Sequence, residues 1–140
     1  MKKLLALTLT LVEILSTFLM VGCGNDAENV VFTVDGTKYQ ITESTTLNDY
    51  MNLLEDDGEL YFTTSSSAYG MFITSVNGVK NGVGSNPCWM VYTDDPDYMD
   101  TSDWGTEVVI DGKTYKSTTL GISSVIVKAG ATYVLSYVQF

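Results

Sequence analysis

The residue best placed for covalent chemistry is Cys23. It closes the run Met20-Val21-Gly22-Cys23 and is followed by polar Gly24-Asn25-Asp26. A cysteine directly behind a small residue, at the end of an apolar stretch, has the form of a bacterial lipobox. The mature protein would then begin at Cys23 and carry lipid on its sulfur and its amine. Lys2 and Lys3 supply the positive patch that such a signal needs, and Leu4 to Leu19 supply the apolar region. That region falls short of the roughly 20 residues that span a bilayer as a helix, which predicts a cleaved signal. Glu13 interrupts it, at a position where a carboxylate is costly to bury. Several acyl chains, each adding about 0.8 kcal/mol per buried methylene, would hold the protein firmly.

A second set of residues suits noncovalent recognition. Trp89 and Tyr92 lie three apart in an apolar stretch. On one strand they point to opposite faces, one into the core and one outward. An outward aromatic stacks on a planar ligand or a sugar; the alternative is that both simply pack. Ser75 and Asn77 can hydrogen-bond a ligand's amides, while Asn77-Gly78 also reads as plain turn chemistry. Tyr69 opens the strand that leads to them. Asp94, Asp95, Asp97, Asp100 and Asp103 form the densest carboxylate cluster. Hard cations take several oxygen ligands, but the EF-hand register is missing, and a solvated acidic loop is the competing reading. Glycoside hydrolysis needs two carboxylates fixed across a cleft, and nothing in the spacing fixes them. Tyr98 and Trp104 add aromatic surface to the same loop.

Composition removes whole classes of function. The chain has no histidine and no arginine. Ser-His-Asp and Cys-His catalysis are therefore excluded, as are histidine-ligated metals. No nucleophile–base pair is visible, so no enzyme activity is expected. Beyond residue 22 there are five lysines and 16 acids, a net charge near −11. Such a surface repels nucleic acid and anionic headgroups alike, so the membrane link is the lipid. With Cys23 lipidated, Cys88 has no disulfide partner within the chain, and burial beside Trp89 is its expected fate.

The elements that position these residues follow from local pattern. Residues 1–22 read as the signal helix, 23–29 as a polar tether, and 30–140 as one domain. Asp35-Gly36 between Val30–Val34 and Thr37–Ile41 predicts a hairpin. Thr45 or Thr46 caps a helix over Leu47–Glu55, with Asp49 completing a capping-box pattern. Its apolar face is Leu47, Tyr50, Met51 and Leu54. Strands are predicted at Leu60–Thr64, Met71–Val76, Cys88–Thr93, Glu107–Ile110, Lys113–Lys116, Ser123–Val127 and Thr132–Phe140. Ser65–Ala68 and residues 80–87 read as loops, and Asp111-Gly112 as a second hairpin turn. One helix across a mixed or antiparallel sheet is an α+β arrangement, compatible with a β-grasp layout.

The order of these segments resembles the DUF4430, or transcobalamin C-terminal-like, domain. The resemblance covers roughly residues 45–140. It rests on the helix at Thr46–Leu54, the run Phe72-Ile73-Thr74-Ser75-Val76-Asn77-Gly78-Val79, the pair Trp89/Tyr92, and Gly130 before a closing aromatic strand. Cys88 stands where the family usually has glycine, and an acidic insertion follows Tyr92. The resemblance implies a β-grasp-like module at a cell surface that binds a soluble ligand, with a corrinoid such as cobalamin as the named candidate. The residues expected to contact such a ligand are the candidates above, Trp89, Tyr92, Asn77, Ser75 and Tyr69, with no cofactor. The expected protein is thus extracytoplasmic and anchored to the bacterial membrane through Cys23. The alternative is a displayed protein–protein interaction module without a small ligand.

Overall fold

A computed structural model describes residues 28–140; the expected signal segment, Cys23 and the tether as far as residue 27 lie outside the described residues. Among the described residues the fold is α+β. The elements are β1 (Val30–Thr33), α1 (Leu47–Asp56), β2 (Phe62–Ser67), β3 (Gly70–Val76), β4 (Val79–Lys80), β5 (Cys88–Thr93), β6 (Glu107–Ile110), β7 (Lys113–Ser117) and β8 (Thr132–Val138). A five-stranded sheet runs β1-β8-β5-β7-β6 and a three-stranded sheet runs β2-β3-β4. Every strand pair among the described residues is antiparallel, so the expected "mixed or antiparallel" sheet resolves to antiparallel. No helix among the described residues is long and apolar enough to cross a membrane.

Helix α1 starts where its cap dictates. The Thr46 hydroxyl accepts from the Asp49 N–H at 3.1 Å, and the Asp49 carboxylate accepts from the Thr46 N–H at 3.0 Å. Two otherwise unpaired donors are satisfied reciprocally. Thr46→Ala is expected to cost about 1 kcal/mol, read as a lower urea midpoint; an unchanged midpoint would show that the cap is dispensable.

The i, i+3, i+4, i+7 stripe of Leu47, Tyr50, Met51 and Leu54 is buried as its spacing requires. It meets Trp89, Tyr133 and Leu135 from the larger sheet and Ile73 and Val76 from the smaller one in a single core. Tyr50 stacks on Phe32 at 5.9 Å, meets Tyr39 edge-on at 5.4 Å, and accepts a hydrogen bond from the Asp35 N–H. The alternating side chains of β8 divide between two faces. Tyr133 and Leu135 enter the helix-side core, while Val134 joins Tyr92 and Tyr115 in a second cluster, with Val108 and Ile110 of the β6–β7 hairpin packed against it.

Three local expectations give way. The first Asp-Gly makes no hairpin: β1 pairs with β8 instead. The Asp35 carboxylate accepts from the Thr37 N–H, the Thr37 hydroxyl and the Lys38 N–H, so the chain turns away. Those bonds favour the charged form and hold the Asp35 carboxyl below the usual range. Ser65–Ser67 extend β2 rather than looping, since β3 offers them partners as far as Gly70. Ser123–Val127 forms only an isolated bridge, Ile126 to Thr46, because the Val125 carbonyl and the Val127 N–H are spent on the helix entrance at Leu47 and Thr45. The second Asp-Gly hairpin forms as expected, with Asp111 at φ 50° and Gly112 at φ 79°.

Candidate functional site

The two sheets meet beside Trp89, and Asn81 joins them. Its side-chain amide donates to the Ile73 carbonyl at 3.0 Å and its oxygen accepts from the Trp89 N–H at 2.9 Å. The Trp89 indole donates to the Val79 carbonyl at 2.8 Å, and its ring lies 5.2 Å from Tyr137. Next to this junction is an apolar cleft of about 80 Å³, between Phe72–Ile73 of β3 and Trp89–Val91 of β5. The segment Thr118–Ile122 forms its third wall. That segment is fixed by the Thr118 N–H on the Val91 carbonyl and the Ile122 N–H on the Met71 carbonyl. Gly121 permits the approach: a methyl there would sit 2.6 Å from the Met71 carbonyl oxygen.

The cleft has an exposed apolar rim. Phe72 is 46 % exposed, Leu120 41 % and Tyr69 77 %. Phe72 and Leu120 line the cleft itself, and the Gly121 N–H bonds the Tyr69 carbonyl, which ties the backbone of Tyr69 to the third wall. A second hollow, between Ile41–Glu43 and Ile126–Lys128, is broad and shallow and has no aromatic lining.

The residues expected to bind a ligand are distributed unevenly around this surface. Trp89 and Tyr92 do face opposite sides of β5, but both sides are covered, and neither aromatic projects outward. Trp89 still walls the cleft. Tyr92 lies in the other cluster, its hydroxyl against Thr106. Ser75 is buried and bonded to Thr63. Asn77 is exposed in the β3–β4 turn at φ 49°, and its side-chain oxygen accepts from the Tyr61 N–H. Of the five, Trp89 and Tyr69 belong to the cleft region. Phe72 and Leu120 were not singled out from sequence. Alternation along β3 signals Phe72, whereas Leu120 sits in an irregular segment with no pattern to mark it.

The acidic segment is internally paired. Asp94 accepts from Lys113 at 2.7 Å and from the Thr132 N–H at 2.9 Å. Partial burial pushes its carboxyl up, but these two donors outweigh that and hold it below the usual range. Asp95 is buried and takes Lys128 at 3.2 Å, and Asp97 takes the same ammonium. The Asp100 carboxylate accepts from the Ser102 hydroxyl and N–H. Among the described residues no three acid or thiol side chains converge to hold a metal ion. Trp104 is 91 % exposed at the end of the segment. Cys88 carries a free, half-buried thiol, and burial pushes its ionisation up.

Tyr133 is buried next to this segment, and its hydroxyl lacks a hydrogen bond of good geometry. Burial first, and then the Asp95 charge, push its ionisation well above that of an ordinary phenol. A raised acid ionisation stabilises the fold fully below the unfolded value, near pH 10. The contribution is lost as pH rises through the folded value. Ultraviolet titration is therefore expected to leave at least one tyrosine, Tyr133, un-ionised until the protein unfolds in alkali. Ionisation of all the tyrosines before unfolding would contradict the burial of Tyr133.

No protein-family model, curated protein or solved structure matches this chain.

Proposed function

We propose that this chain is a lipid-anchored extracytoplasmic interaction module that docks a partner protein on the face formed by Tyr69, Phe72 and Leu120. The observation that carries the reading is an exposed apolar rim around a solvent-open cleft, on a domain that is otherwise strongly acidic. Exposed apolar patches with polar surroundings mark interaction sites. The Lys2–Cys23 pattern supports the anchor and the location outside the cell. The helix laid across an antiparallel sheet supports the β-grasp-like reading. This reading assigns the protein no catalysis and no cofactor.

A second reading, capture of a corrinoid, draws on the resemblance and on the cleft beside Trp89. Ligand pockets typically enclose about 300–1,000 Å³, whereas this cleft offers about 80 Å³. A corrinoid would lay only an edge against it. Calorimetric titration of residues 24–140 with cobalamin and cobinamide separates the two readings: no heat at high micromolar ligand is expected, and saturable 1:1 binding would replace the interaction module with a corrinoid-capturing lipoprotein. Cys23→Ala is expected to release the protein from membranes; a variant that stays membrane-bound would remove the anchor.

A further inference from the structure

The larger sheet gives the domain two chemically different ends. β5 begins and β8 finishes at one end, where Cys88 lies opposite Val138, and β1 starts short of it, with Val30 opposite Leu135. At the other end Thr33 pairs with Thr132, and Thr93 with Tyr133. A strand of the length of β5 sets the ends about 20 Å apart. The far end leads directly into Asp35 and into Asp94, Asp95 and Asp97, which are paired there with Lys113 and Lys128. At the near end, residues 28–30, 80–89 and 136–140 include only two charged side chains, Glu28 and Lys80.

The near end also exposes apolar side chains. Val83 is 100 % exposed and Phe140 is 65 % exposed. They belong to one local structure. The Asn86 side chain donates to the Phe140 carbonyl at 3.1 Å and accepts its N–H at 3.0 Å, and Val83 opens the 3₁₀ turn Val83–Ser85 that leads into Asn86.

We propose that this end of the domain rests on the lipid surface, with Val83 and Phe140 entering the headgroup layer. The inference rests on the lipid anchor at Cys23 proposed above. Only five residue steps separate Cys23 from Glu28, where the described chain begins. At about 3.3–3.6 Å per residue, that span reaches at most about 18 Å, so the start of β1 is held close to the anchor. An end with two charged side chains loses little hydration on contact, whereas the far end, with Asp35 and the pairs that Asp94, Asp95 and Asp97 make with Lys113 and Lys128, would lose much. Apolar side chains at the bilayer boundary favour the contact, as they do in interfacial anchors. The domain would thus stand on the membrane with the Asp94–Asp97 run and the β6–β7 turn distal.

The test uses the full chain, processed in a bacterial host and reconstituted in phosphatidylcholine vesicles containing phosphatidylglycerol and a headgroup spin-labelled lipid. Cys88→Ser removes the second thiol, and an environment-sensitive fluorophore is placed at Ser85→Cys or, separately, at Val109→Cys, exposed on β6 beyond the level of Thr93. Mass spectrometry first reports whether Cys23 is lipidated. The expected result is quenching several-fold stronger at position 85 than at 109, falling to the level of 109 when Val83→Asp is added. Equal quenching at the two positions in lipidated, vesicle-bound protein overturns the orientation and leaves the anchor standing. Absence of lipid on Cys23 overturns the anchor and the orientation together.

Discussion

Trp89→Ala is expected to cost the domain about 3–5 kcal/mol, the usual range for emptying a buried tryptophan site. Trp89 is 6 % exposed, packs in the main core, and leans on Tyr137. Its loss also strands the Val79 carbonyl, which the indole now satisfies. Leaving a buried acceptor unpaired adds a penalty to the cavity. Small domains hold about 5–15 kcal/mol in total, so this single change removes a large share. Urea denaturation should show a much lower midpoint at an unchanged slope, and an unmoved midpoint would contradict the packing described here. The result matters for function because loss of binding in Trp89→Ala would report unfolding. Phe72→Ala is the cleaner probe: Phe72 is half exposed, and its removal is expected to stay within about 0.5 kcal/mol while weakening the docking face.

Lys128→Met is expected to have the second large effect, a clearly lowered unfolding midpoint. Asp95 is 3 % exposed, and its Oδ1 takes the Lys128 ammonium and the Asp97 N–H. Its Oδ2 is buried with no partner. Removing the lysine leaves a buried carboxylate without a counter-charge. The Lys128 side chain is half exposed and partly screened, so the loss is smaller than for a fully buried pair. Adding Asp95→Asn should recover most of the loss, since the neutral amide oxygen still accepts from the Asp97 N–H. Equal stability of wild type and Lys128→Met, by thermal or urea unfolding, would mean that solvent already compensates Asp95.

The parts of the fold that were legible in the sequence are those set by short-range chemistry. Thr46 and Asp49 announce the capping box, Leu47 to Leu54 the buried stripe, and Asp111-Gly112 the second hairpin. The same logic failed at Asp35-Gly36, where a side chain three atoms long competes for the backbone and a distant strand, β8, offers β1 a better partner. Ser65–Ser67 read as a loop by composition, yet β3 recruits them. The cleft was only half visible. Trp89 and Tyr69 stood out by residue type, but covering of both faces of β5 depends on where the β6–β7 hairpin and α1 pack, and neighbouring spacing carries no record of that. Leu120 reaches the surface through Gly121, whose close approach to Met71 is a tertiary contact with no local signature. The acidic run signalled charge correctly, but its pairing with Lys113 and Lys128 joins residues up to 33 positions apart.

In-cell photo-crosslinking from Phe72 tests the proposed docking most directly. A photoreactive residue at position 72 borders the cleft, whereas one at Val109, 59 % exposed on β6, lies outside it. The interaction module predicts a discrete protein adduct from position 72, lost when Leu120→Asp is added, and none from position 109. No adduct from position 72, or the same adducts from both positions, would contradict it.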